Sequence, residues 1–111
     1  MNTSVAELLS ATAASVEVKK HTVSFDLSDG RTIAAPLAWF PRLDHGTAAE
    51  RLNCRLIGDG QGAHWPDLDD DISVEGLLLG RPSRESQESF RRWLEQRKSQ
   101  KTVPTARRKK Q

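Results

Sequence analysis

Asp67, Asp69 and Asp71 stand two residues apart, the spacing of the first three oxygen ligands in an EF-hand calcium loop. The rest of that loop is missing. Ile72 stands where the sharp turn needs glycine, and Leu78 stands where a bidentate glutamate should close the shell. Two other uses of this run remain. The carboxylates would favour the N-terminus of a helix starting after Ser73, by about a few tenths of a kcal/mol each. They would also make an acidic patch able to meet a basic partner. Asp67, Asp69, Asp70 and Asp71 are therefore candidate partner-binding residues.

Other chemistry-bearing groups are sparse. Gly58-x-Gly60-x-Gly62 has the look of a phosphate loop, but an extended His64-Trp65-Pro66 follows it instead of a helix. A phosphate loop needs that helix N-terminus and a following Lys-Ser/Thr pair. The segment reads as a hairpin turn. His21, His45 and His64 are too scattered for a local metal motif. Asp44-His45 could pair, but neither a Gly-x-Ser-x-Gly elbow nor His-Asn support for Cys54 is present. The expectation is no enzyme, with no catalytic, cofactor-binding or metal-ligating residues. The single cysteine excludes an internal disulfide and a cysteine-cluster zinc site.

These residues need elements to hold them. Val16 to Leu27 alternates as β, with a phase change near Lys19-Lys20-His21 that predicts a bulge or a tight turn. Ser28-Asp29-Gly30 predicts a primed hairpin turn into a strand over Arg31–Ala35. Leu37–Leu43, bracketed by Pro36 and Pro41, reads as extended. Its Trp39 and Phe40 go first to the core, and any exposed part of them is a candidate partner contact.

Thr47-Ala48-Ala49-Glu50 is a capping box and predicts a helix over Ala48–Cys54 with Leu52 facing inward. Short strands follow at Arg55–Ile57 and Ala63–Trp65. Ser73 should cap a helix, with Ile72 and Leu77 as a hydrophobic staple and Gly80 just past its end. Ser83 should cap a longer helix over Arg84–Lys98. Phe90, Trp93 and Leu94 make one narrow apolar stripe on it. Such a stripe must dock on the body or on a second chain, so these three are also candidate partner contacts. The predicted class is α+β: a small antiparallel sheet of hairpins with short helices, a C-terminal helix and a basic tail. The expected divisions are 1–15 (N-terminal segment), 16–80 (α+β domain), 81–98 (helix) and 99–111 (disordered tail, with a helix break at Thr102–Thr105).

Charge is split along the chain. Of 17 cations, seven lie from Arg97 onward, which leaves ten against all 15 carboxylates in residues 1–96, a balance of −5. An acidic body thus carries a basic end. Arg91, Arg92, Arg97, Lys98, Lys101, Arg107, Arg108, Lys109 and Lys110 are the candidate nucleic-acid contacts, acting on phosphates with little sequence preference. At 111 residues with 36% hydrophobic content, there is room for one thin-cored domain. The sequence has no run long and apolar enough to span a membrane, and Met1-Asn2-Thr3-Ser4 lacks the basic start of a signal peptide, so a reducing cytoplasm is expected.

Three stretches taken together carry a resemblance: Asp29-Gly30-Arg31, Pro36-Leu37-Ala38-Trp39-Phe40-Pro41-Arg42-Leu43, and Gly62-Ala63-His64-Trp65-Pro66-Asp67-Leu68-Asp69-Asp70-Asp71-Ile72-Ser73-Val74. In this order and spacing they resemble the bacterial domain of unknown function family 2442, over about Val16 to Gly80. The resemblance implies a small α+β domain. It also implies an antitoxin-like role beside a small toxin-like partner protein, or a part in a larger regulator with a DNA-binding segment. It brings no catalytic residues. The expected function is a non-enzymatic interaction module that neutralises a small basic protein. The alternative is nucleic-acid binding, DNA or RNA, through the C-terminal helix and tail. A homodimer fits either expectation.

Overall fold

The computed structural model describes residues 11–109, with side chains described through Ser99. Strands β1 (Ala13–Val18), β2 (Thr22–Leu27) and β3 (Thr32–Pro36) form an antiparallel sheet in that order. The register sets Val16 opposite Phe25, Val18 opposite Val23, and Phe25 opposite Ile33, so one face is apolar. On the other face Asp26 accepts hydrogen bonds from the Ser15 and Thr32 hydroxyls, at 3.2 and 2.8 Å. The phase change at Lys19–His21 is a tight turn, and the bulge falls instead between Ala13 and Ser15.

The β2–β3 turn differs from the primed form. Of Ser28, Asp29 and Gly30, Gly30 takes a positive φ, 95°. The Gly30 N–H donates to Leu27 O at 3.1 Å, and the Leu27 N–H donates to Arg31 O at 2.7 Å. This is a three-residue loop with a glycine bulge, the usual alternative when only the last position is left-handed.

Leu37–Leu43 is not extended. Leu37–Trp39 makes one 3-10 turn, and α1 spans Pro41–His45. Pro41 occupies the first helical position, where its missing N–H leaves nothing unpaired. Leu37, Phe40 and Leu43 all point into the core. Helix α2, Ala48–Leu52, carries the capping box at Thr47 and Glu50 in full. It ends two residues early, and Leu52 faces out at 83% exposure instead of inward. Polar contacts hold α2 to the body instead. Arg51 donates to the carbonyls of Leu43 (3.0 Å) and Asp44 (2.6 Å), and its own carbonyl accepts the indole N–H of buried Trp65 at 3.0 Å.

A second antiparallel sheet contains β4 (Arg55–Ile57), β5 (Gly62–Trp65) and β6 (Asp70–Ser73). Between β4 and β5, Gly58, Asp59 and Gly60 all take positive φ. A Cβ on Gly60 would lie 2.6 Å from the Ala13 carbonyl oxygen, so glycine here lets the turn sit against β1. The expected turn is confirmed. Strand β6 is not foreseen by the sequence reading, because its aspartates mask the inward Ile72.

Ser73 caps α3 (Val74–Leu78), accepting the Gly76 N–H at 2.8 Å, with Ile72 and Leu77 both buried beside it. Beyond it, the Gly80 and Arg81 N–H groups bond back to Leu77 and Gly76. One core joins both sheets, centred on Trp65, Phe25, Leu37, Leu43, Leu68, Val23 and Val74. The chain is α+β.

Helix α4 runs Gln87–Lys109. Its cap is Ser86, whose hydroxyl accepts the Ser89 N–H at 3.0 Å. Ser83 instead turns the preceding segment by accepting the Glu85 N–H at 3.1 Å. The backbone stays helical across Thr102–Thr105, where the sequence predicted a break and a disordered tail. Pro104 removes one helical hydrogen bond there without ending the helix.

Candidate interaction site

Helix α4 lies on the body through one aromatic–cationic cluster. Phe90 and Trp93 stack, with ring centroids 5.7 Å apart and planes at 23°. The His45 ring meets both edge-on, at 6.3 and 5.9 Å. The guanidinium carbons of Arg42 and Arg97 lie 5.2 and 4.7 Å from the Trp93 ring centre. Each arginine is also gripped by a carboxylate. Arg42 donates to Glu85 from Nε (2.9 Å) and Nη2 (2.5 Å). Arg97 donates from Nη1 and Nη2 to the two oxygens of Glu50, at 2.9 and 3.0 Å.

Arginine forks suit this two-point geometry and keep a flat face for the indole. The Arg97 guanidinium foremost, then the Thr47 N–H and hydroxyl, hold the Glu50 carboxyl down at about 2, against a desolvation that works the other way. Arg42 likewise lowers the Glu85 carboxyl, and Glu85 raises the Arg42 guanidinium.

These contacts reassign several sequence candidates. Phe90 and Trp93 serve to dock α4, and Trp93 packs on the main core. Leu94 is half-buried on the same helix. Phe40 is 4% exposed, so its ring belongs to the core and offers no partner contact, while Trp39 is half-buried against that core. Arg97 is bound to Glu50 and does not present its charge as a phosphate contact. Arg91, Arg92 and Lys98 are exposed on α4. Lys101, Arg107, Arg108 and Lys109 lie on its helical backbone, and their side chains fall outside the described residues, as does all of Lys110.

The aspartates gather on the turn from β5 into β6. Asp67 is exposed and accepts from Asn53 Nδ2 at 2.9 Å. Asp69 has a φ of 50°, and its side chain is 87% exposed, 3.6 Å from Arg42 Nη1. The same Nη1 reaches the Leu68 and Asp69 carbonyls. Asp70 is half-buried, and desolvation pushes its carboxyl up to about 6. Asp71 pairs with His64 Nδ1 across the β5–β6 ladder. Because β6 intervenes, Asp67, Asp69 and Asp70 do not sit at the start of α3, as expected from the sequence.

Exposed Leu52 has no forerunner among the sequence candidates. It borders a groove of about 420 Å³ between β1 and α2, floored by Val16, Val18, Ala48 and Cys54 and edged by Lys19 and Lys20. The sequence carries no signal for it, because the capping box predicts a helix through Cys54 that turns Leu52 inward. The Cys54 thiol is pushed up by burial, which keeps it a thiol rather than a nucleophilic thiolate. Among the described residues no group of three or more His, Cys, Asp or Glu side chains could hold a metal ion, and no helix is long and apolar enough to cross a membrane.

Two three-stranded antiparallel sheets around one core, joined by helices of five residues and followed by a long docked helix, define a small α+β domain with a C-terminal extension. The family model described as "Protein of unknown function (DUF2442)" matches residues 13–83, and the chain belongs to that family. A crystal structure of a protein of unknown function from Rhodospirillum rubrum is similar at 28% identity and a TM-score of 0.61, over 69% of this chain and 95% of that one. A solution structure of an uncharacterized protein from Chromobacterium violaceum shares the fold at 24% identity and a TM-score of 0.56, over 69% and 71%. No curated protein matches the chain.

Proposed function

We propose that this chain is a non-enzymatic, antitoxin-like interaction module of the cytoplasm that neutralises a small basic protein. The observation that carries the reading is the acidic turn beside an exposed anchor. Asp67 and Asp69 face solvent on a turn fixed by β5, β6 and Arg42, and the Asn53–Asp67 bond ties that turn to the end of α2, next to Leu52. Charged groups around an apolar residue suit recognition of a basic surface with an apolar pocket. If that partner acts on RNA, covering its basic face suffices to silence it.

The test is capture of partners by tagged full-length chain from its host, after nuclease treatment. It is run beside Asp67→Asn/Asp69→Asn and Leu52→Ala variants. One small basic protein retained by the wild type and lost from both variants supports the reading. Equal retention by all three overturns it.

A second reading is nucleic-acid binding, and the continuity of α4 through Lys109 favours it. Arg91, Arg92 and Lys98 share that helix with the later cations. Binding carried by this helix falls steeply with salt and shows little sequence preference. In the same capture, recovery that nuclease abolishes identifies this mode.

A further inference from the structure

The family match stops at residue 83, and α4 begins at Gln87. The face that α4 covers is nevertheless built from the family domain: Arg42 and His45 of α1, and Glu50 of α2. Each supplies a different recognition element. Arg42 offers a flat cation to an indole, His45 an edge to two stacked rings, and Glu50 a carboxylate to an arginine fork. Their ligand is the pattern Phe90-x-x-Trp93-x-x-x-Arg97, which lies on one face of a helix.

Two features make this helix separable from the body. Residues 81–86 hold neither helix nor strand and can span about 20 Å when extended. Two ties hold them to the body, the Ser83 N–H on the Trp39 carbonyl and Glu85 on Arg42, so exchange opens the first and re-forms the second between chains. The docking is also imperfect, because the buried Arg97 Nε–H has no acceptor.

We infer that the α1–α2 face is a docking site for an amphipathic helix of this pattern, filled by α4 of the same chain in the monomer and by α4 of a second copy in an exchanged dimer. The contacts are the same in both forms. The balance between them is set by the linker and by protein concentration, the usual terms of domain swapping. The inference is independent of the acidic turn and of any basic partner.

Charge reversal tests it in the full chain. Glu50→Arg and Arg97→Glu are made in separate chains, and both together in a third. Each single variant places like charges at the contact, in its own monomer and in its own exchanged dimer. Mixing the two singles restores opposite charges at both contacts, but only between chains. The expected result is monomer for each single variant, with α4 amides exchanging at least tenfold faster than in the wild type. The equal mixture should give a 1:1 dimer by native mass spectrometry with one partner isotope-labelled, with α4 protection recovered. The double variant controls for folding and for loss of the α2 cap, and it should keep α4 protected. A mixture that remains two monomers overturns the inference. So does dimerisation of either single variant as readily as the mixture.

Discussion

Arg97 and Glu50 stand 47 positions apart and form a two-point ion pair, with Arg97 lying against the Trp93 ring. Their side chains are 12% and 20% exposed. Glu50 is also the third residue of α2 and returns a hydrogen bond to the Thr47 N–H at 2.9 Å. One carboxylate therefore starts a short helix and anchors a long one.

Those two duties separate by substitution. Thr47→Ala removes the cap and should destabilise α2 by about 1 kcal/mol. Glu50→Gln keeps a capping group but loses the charge, and should weaken α4 docking by about 2 kcal/mol. Amide exchange read helix by helix checks this. Equal effects of both changes on α4 would contradict the assignment.

Acid should release α4. Glu50 is held at about 2, below its ordinary 4.5, and Glu85 is lowered by Arg42. A depressed carboxylate contributes its stability above the unfolded value and loses it as pH falls through the folded one. Protection of α4 should therefore be constant above about pH 5 and decline between roughly pH 4.5 and 2. An NMR titration of the α4 amides measures it. Protection unchanged to pH 2 would refute the ion-pair account.

Asp70 works in the opposite sense. Its carboxyl rises from 3.8 to about 6 through desolvation. A raised carboxylate value means the fold prefers the protonated form, so Asp70 costs stability as pH climbs from 3.8 through 6. Asp70→Asn should stabilise the body at pH 7 by about 1–3 kcal/mol and have no such effect near pH 3.5. Urea unfolding at the two pH values decides it.

Two glycines at positive φ should differ. Gly30 has open space where a Cβ would go, so Gly30→Ala should cost about 1 kcal/mol of backbone strain alone. At Gly60 the Cβ would also strike the Ala13 carbonyl, and Gly60→Ala should cost about 3 kcal/mol. Equal midpoints in urea would show that the β4–β5 turn does not depend on its approach to β1.

Local signals in the sequence were readable where one or two residues decide the structure. The Thr47–Glu50 box, the Ser73 cap with its staple, and the strands at Arg55–Ile57 and Ala63–Trp65, the second of which starts one residue earlier at Gly62, all depend on neighbours within a few positions. Pro41 misled because proline opens helices as readily as it ends strands. Strand β6 was hidden because a two-sheet core needs only Ile72 inward from that segment, and its other positions are free to be acidic. The α4 site was half legible. The Phe90–Trp93–Leu94 stripe announced a docking helix, but the acceptor is assembled from Arg42, His45 and Glu50 on two elements. No spacing rule links them to Arg97, so the sequence alone presents its charge as free.

The position of β6 has one further consequence. It is an outer strand of its sheet, and Asp70 and Asp71 sit on it side by side. An outer strand displays unpaired backbone groups that can recruit the strand of a neighbouring molecule. Carboxylates there repel such an approach, and Pro36 interrupts the ladder at the end of the outer strand β3. Charge on this outer strand therefore disfavours edge-to-edge pairing between folded chains.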